Sequence, residues 1–129
     1  MIALDTSALL AYLFTASGCE AVAEHMDARC LSSVNLAEVI SRFVRNGHSP
    51  ELVHPQLLSS GIEMVPFLSE DAALAAGLVL HTQKFALPLR DRACLALALW
   101  RNIPAVTANH VWSTLDLPIA IQLIGATAR

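Results

Sequence analysis

The sequence predicts an α/β fold: one domain over residues 1–129, with a central parallel sheet of four to five short strands and helices on both faces. Three observations predict it. Short apolar runs alternate along the chain with stretches of helical period, the pattern of strand–helix–strand units. The first of those runs, at residues 2–4, is continuously apolar, as a buried strand is. The chain has 129 residues, of which 55 % are hydrophobic. Ala, Leu, Val and Ile dominate that fraction, which suits a buried sheet and argues against disorder.

The first strand is read at residues 2–4, an apolar run that begins at the N-terminus and ends on Asp5-Thr6-Ser7. A helix follows over 7–14, Gly18 breaks it, and 20–27 continues as a second helical piece. A short strand is read at 29–32. Ser33 is read as the N-cap of a helix over 34–45, because a serine oxygen accepts from free amides at a helix start. Leu36, Val39, Ile40, Phe43 and Val44 follow helical spacing there. Gly47 sits where a helix C-terminus favours a left-handed residue.

Residues 50–60 read as another helix, with Pro50 in its first turn and Pro55 leaving its length open. A strand is read at 63–67, with Pro66 near its end. Ser69 begins a helix reaching about Phe85, with Glu70 and Asp71 in the first turn where the dipole favours acids. Leu87-Pro88-Leu89 is a loop, and 91–100 a strongly apolar helix. A strand at 105–107, a helical turn at 111–115 and a strand at 119–124 complete the chain. No linker, repeat or low-complexity segment divides it.

The formal charge of −3 carries no electrostatic footprint for nucleic acid. Seven of the 8 basic residues are nonetheless Arg, whose planar fork suits phosphate, although solvated helix faces use Arg equally. The 3 cysteines, Cys19, Cys30 and Cys94, lack metal-ligand spacing and read as reduced, mostly buried residues of a cytoplasmic protein. No secretion signal is recognised, and the apolar stretch 93–100 is too short to span a bilayer.

Three carboxylates stand at strand ends or within apolar helices: Asp5, Glu38 and Asp91. Charges in such surroundings are seldom buried unless paired or metal-bound. Each also has a plainer role open to it. Glu38 can pair with Arg42 four residues on. Asp91 and Asp5 can cap helices. In an open α/β sheet, however, ligands bind off the carboxyl ends of the strands, where Asp5 stands. The 5 histidines, His25, His48, His54, His81 and His110, show no obvious pairing that suggests a catalytic site of their own.

Four segments carry a resemblance. Asp5-Thr6-Ser7 resembles the opening motif of PIN domains, and Asn35-Leu36-Ala37-Glu38-Val39 their second acidic motif. Asp91-Arg92-Ala93-Cys94-Leu95-Ala96-Leu97-Ala98 is similar to the third. Thr107-Ala108-Asn109-His110-Val111-Trp112, with Leu115-Asp116-Leu117, resembles the closing segment. Order, spacing and length are similar to the VapC branch of bacterial toxin–antitoxin ribonucleases, across essentially the whole chain.

The resemblance implies an endoribonuclease that uses Mg²⁺ or Mn²⁺ and acts as the toxin of a type II toxin–antitoxin module. It makes Asp5, Glu38 and Asp91 the catalytic, metal-binding acids. Thr6 or Ser7 would hold Asp5 or a bound water, with Thr107 in support. The fourth acidic position is Asn109, which offers a carbonyl oxygen but no charge, so it is a reduced metal ligand and Asp116 a possible substitute. Arg90, Arg92 and Lys84, with Arg42, are the nearest bases to these motifs and the candidates for RNA contact. The implied partners are RNA, a small VapB-like antitoxin and a second copy in a homodimer, with no membrane. The antitoxin tail would lie in a groove for which helices 7–14 and 34–44 are candidates. An alternative stays open: Asn109 marks a PIN-like module that binds RNA or a protein but cuts poorly. A phosphatase with an aspartyl nucleophile is disfavoured, since Ser7 replaces the second acid of an Asp-x-Asp pattern.

Overall fold

The computed structural model describes residues 1–13 and 28–124. The helical piece expected at 20–27, the break at Gly18, and Cys19 and His25 lie outside the described residues. Strands β1 (Ile2–Leu4), β2 (Arg29–Ser32), β3 (Glu63–Val65), β4 (Ala105–Thr107) and β5 (Ile121–Leu123) form one sheet in the order β3-β2-β1-β4-β5. Every pairing is parallel. The helices are α1 (Thr6–Leu13), α2 (Ser33–Arg45), α3 (Pro50–Leu58), α4 (Ser69–Gly77), α5 (Val79–Thr82) and α6 (Leu89–Arg101), with 3₁₀ turns at Gln83–Phe85 and His110–Thr114.

Side chains alternate across the sheet; β1, β2 and β4 are buried on both sides, whereas the edge strands β3 and β5 are partly exposed. Ile2, Leu4, Leu31 and Val106 face one core together with Ala8 and Leu9 of α1, Val39 of α2 and Val53 and Leu57 of α3. Ala3, Cys30 and Ala105 face a second core with Ala75 of α4 and Cys94, Leu95 and Leu97 of α6. The small residues on that side let α6 approach closely. Trp112, fully buried, fills the second core beside the sheet.

Several local expectations are corrected. The N-cap of α2 is Ser32, whose hydroxyl accepts from the Val34 amide at 3.2 Å. Ser33 is instead helical, and its hydroxyl accepts from the Phe67 amide at 3.0 Å, tying α2 to the loop after β3. The segment expected as one helix from Ser69 to Phe85 is three pieces. Gly77 weakens helix continuity, and the Thr82 hydroxyl donates to the Leu78 carbonyl at 2.8 Å, an alternative partner for the backbone. Strand β3 stops at Val65, before Pro66, which has no amide to donate. The last strand is shorter than expected, Ile121–Leu123.

Gly47 has φ +94, the left-handed turn expected after α2. Helix α6 begins at Leu89, so Asp91 lies inside its first turn, and the capping position belongs to Pro88. No helix among the described residues is long and apolar enough to cross a membrane.

Candidate active site

Strands β2 and β3 lie to one side of β1, whereas β4 and β5 lie to the other. The strand order therefore reverses between β1 and β4, and a crevice opens there at the carboxyl ends, as doubly wound sheets require. Asp5 leaves the end of β1, and Thr107 and Asn109 leave the end of β4. A cavity of about 440 Å³ opens at this point, lined by Asp5, Ser7, Glu38, Asp91 and Asn109, together with Arg42, Arg45 and Arg90. All three acids singled out in the sequence reach it.

Asp5 is 2 % exposed and held from several directions. Its Oδ1 accepts from the Ala8 amide at 2.7 Å. Thr107 Oγ1 donates to Oδ2 at 2.6 Å. Ser7 Oγ lies 2.8 and 2.9 Å from the two carboxylate oxygens, and itself accepts from the Ala108 amide at 3.0 Å. Even so, burial pushes the Asp5 carboxyl up to about 6, against the lowering effect of the Thr107, Ala8 and Ser7 bonds, and the Asp91 charge adds to the rise. The fold thus keeps a carboxylate that it does not fully compensate.

Asp91 projects from the first turn of α6 and is 7 % exposed. The indole Nε1 of Trp112 donates to its Oδ2 at 3.3 Å, and Arg90 Nε stands 3.9 Å from its Oδ1. Burial raises the Asp91 carboxyl above its ordinary value, although the Trp112 bond and the Arg90 charge oppose the rise. Glu38, from α2, is half-buried.

The supporting residues sort themselves by partner. Ser7 and Thr107 hold Asp5. Thr6 does not; its Oγ1 accepts from Asn35 Nδ2 at 3.0 Å. The same Asn35 amide donates to the Arg90 carbonyl at 3.0 Å. Asn35, fully buried, therefore pins the starts of α1, α2 and α6 together behind the acids. The sequence reading did not single it out, since its partners are distant in the chain. Asn35→Ala leaves the Thr6 hydroxyl and the Arg90 carbonyl without that donor, and should cost about 1–3 kcal/mol in urea unfolding.

Two of the expected RNA-contacting bases stand elsewhere. Arg92 donates to the carbonyls of Leu87 at 3.2 Å and Ala75 at 3.0 Å, a brace between α6 and α4. Lys84 lies over the Phe85 ring, 5.6 Å from its centroid. Neither lines the cavity; Arg90 does, as does Arg45, which the sequence reading passed over. Asn109 is at the cavity, but its Oδ1 accepts from the Val111 amide at 3.1 Å and caps the 3₁₀ turn. Asp116 and His110 are exposed and do not line the cavity.

The donor set is made of hard oxygens, which suits Mg²⁺ or Mn²⁺ rather than a soft metal. Among the described residues no group of three or more Asp, Glu, His or Cys side chains is placed to hold a metal ion together. Mg²⁺ commonly takes only one or two carboxylates and completes its shell with water and phosphate. Asp5 and Asp91, buried together with a common charge, fit that requirement. Cys30 and Cys94 do not enter the chemistry: both are buried, and burial pushes the Cys30 thiol up to about 11 and the Cys94 thiol well above its ordinary value.

Residues 2–117 match the family model described as PIN domain. No curated protein is similar to the chain in sequence. Among solved structures, a chain of DNA-bound VapBC from Salmonella typhimurium is 19 % identical, with a TM-score of 0.71, covering 94 % of this chain and 96 % of that one. A chain of VapBC2 from Rickettsia felis, bound to a promoter DNA fragment, is 16 % identical with a TM-score of 0.71, covering 96 % and 99 %. A chain of FitAcB from Neisseria gonorrhoeae is 20 % identical with a TM-score of 0.68, covering 95 % and 96 %. Likeness at these identities speaks for the fold.

Proposed function

The chain belongs to the PIN domain family, and from that premise we propose that it is a divalent-metal-dependent endoribonuclease, the VapC-like toxin of a type II toxin–antitoxin module, which hydrolyses RNA phosphodiesters and so blocks translation. The observation that carries the reading is the convergence of Asp5, Glu38 and Asp91 on one cavity at the carboxyl ends of β1 and β4. Three acids from three separate elements meet there, and although Asp5 also accepts from the first turn of α1, both Asp5 and Asp91 are held against a desolvation cost.

Asp5 and Asp91 would hold the metal, with Glu38 binding it through water or receiving a proton from the attacking water. The Asn109 carbonyl oxygen is a weaker contributor, since it already caps the 3₁₀ turn. A bound divalent ion would supply an activated water and steady the charge growing on the scissile phosphate. Ser7 and Thr107 keep the Asp5 carboxylate in one orientation, and Trp112 does the same for Asp91. Attack by water predicts a 5′-phosphate and a 3′-hydroxyl. The toxin–antitoxin complexes among similar folds support a small VapB-like antitoxin as partner, and the homodimer and cytoplasmic location belong to the same proposal.

The test is cleavage of a structured RNA mixture by antitoxin-free protein with Mn²⁺ or Mg²⁺, beside Asp5→Asn and Asp91→Asn. Metal-dependent cutting, lost by at least 100-fold in both variants, is expected. Products ending in a 2′,3′-cyclic phosphate would sink the mechanism. Binding of RNA with no cutting under any metal would favour the impaired module that the Asn109 cap makes the second reading.

A further inference from the structure

The arginines of the described chain fall into two groups by what holds them. Arg101 makes two bonds of 2.8 Å to the Glu63 carboxylate. Arg92 is held by two backbone carbonyls. Arg29 is buried, its guanidinium 5.4 Å from the Tyr12 ring centroid. Arg42 and Arg45 are different: both are exposed, both line the acidic cavity, and neither makes an ion pair or hydrogen bond among the described residues. Arg90 faces the same cavity with a single loose contact to Asp91 at 3.9 Å.

Placement explains the grouping. Glu38, Arg42 and Arg45 stand four and three residues apart on α2, so they form one stripe of the helix. Leu36, Val39, Ile40 and Phe43 form the other stripe and pack in the core. Arg42 is four residues after Glu38, the favourable order for a helix-surface pair, yet no such pair forms. The three cations sit at the mouth of the cavity, while Asp5 and Asp91 lie beneath at 2 % and 7 % exposure. An anion entering from solvent meets these exposed guanidinium groups before the buried carboxylates of Asp5 and Asp91.

We propose that Arg42 and Arg45, with Arg90 across the cavity, form a clamp that holds consecutive RNA backbone phosphates at the mouth of the site without any metal. The inference rests on the reading of this cavity as an RNA-cleaving site, and assigns the part that binds as distinct from the part that cuts. Guanidinium forks match phosphate oxygens bidentately. Side chains three apart on a helix begin about 5–6 Å from each other, so two phosphates can be gripped together. A cation in the last turn of α2 also suits the helix dipole, but the dipole alone does not require both side chains to border the acids.

The experiment is fluorescence anisotropy of a labelled single-stranded RNA of about twelve nucleotides, in EDTA, over a series of KCl concentrations. The proteins are wild type, the double variant Arg42→Ala/Arg45→Ala, and the charge-conserving Arg42→Lys/Arg45→Lys. Both positions are exposed, and thermal melts check that the variants fold. Wild type should bind in EDTA. The alanine pair should lose at least tenfold in affinity, and its plot of log K against log salt should flatten by about 1.4, because each single-strand phosphate contact contributes about 0.7. The lysine pair should keep the salt slope and lose part of the affinity.

Wild-type affinity and slope in the alanine pair would overturn the clamp, as would absence of binding by wild type in EDTA. Equal displacement of RNA by an acidic peptide would overturn the assignment to phosphate. The two readings fail separately. An alanine pair that binds and cuts like wild type removes the clamp and leaves the nuclease. Wild type that binds through these arginines and never cuts removes the nuclease and leaves the clamp.

Discussion

At pH 8 and without metal, Asp5→Asn should melt at a higher temperature than the wild type, by roughly 10 °C, although it is expected to be inactive. Asp5 titrates near 3.8 when exposed and near 6 in the fold. Between those values the folded state binds the proton that the unfolded state has released, so stability falls as pH rises through about 6. The rise corresponds to about 3 kcal/mol at most, fully lost above pH 6 and fully retained below 3.8. Asparagine removes the charge and can keep the hydrogen bonds. Its oxygen accepts from the Ala8 amide and Ser7, and Thr107 reverses to accept from the new amide group, with its own proton turned towards Ser7 Oγ 3.3 Å away. The gain should therefore shrink as pH is lowered and vanish near pH 3.5. Mn²⁺ should raise the wild-type melting temperature and leave that of Asp5→Asn almost unchanged, because only a ligand of the folded state stabilises it. Equal pH profiles for the two proteins would show that the carboxylate is compensated within the fold and needs no cation.

This trade of stability for charge connects to what the sequence made visible. The strands were legible because each is a short, mainly apolar segment between helical stretches, and the observed bounds of β1, β2 and β4 coincide with the segments read from the sequence. The acids were legible for the opposite reason, as charges where apolar residues surround them. What escaped depends on distance through space. Ser32 and Ser33 are equivalent as local cap signals, and only the loop at Phe67, which engages Ser33, separates them. Asn35 acts through Thr6 and Arg90, at separations of 29 and 55 residues. Trp112 reads as an aromatic core residue, and its donor reaches Asp91 only once α6 and β4 are packed. Arg92 sits in the third acidic motif but points at the backbone carbonyls of Leu87 and Ala75, whereas Arg45, outside every motif, arrives at the cavity by helical phase, seven residues after Glu38. Motifs locate the reacting groups; the residues that bind and orient are set by the helix faces around them.

Asn109→Asp tests how far the missing fourth acid limits the site. The substitution should raise Mn²⁺ affinity at least tenfold, read by titration calorimetry. An added unit of negative charge near a divalent ion attracts it by about 4 kcal/mol at an effective dielectric near 20, before screening. Screening leaves a third of that sufficient for the predicted factor. The fold should accept the change, since Asp caps as well as Asn and can still accept from the Val111 amide. Its cost appears without metal. A further negative charge beside Asp5 and Asp91, both already raised by burial, should lower the melting temperature of the metal-free protein at pH 8 and leave it unchanged near pH 3.5. The wild-type chain would then owe part of its metal-free stability to Asn109, and would depend on substrate phosphate to complete the shell of the ion. If Mn²⁺ affinity is unchanged by Asn109→Asp, position 109 acts as a cap alone, and the metal is held by Asp5 and Asp91 without help from β4.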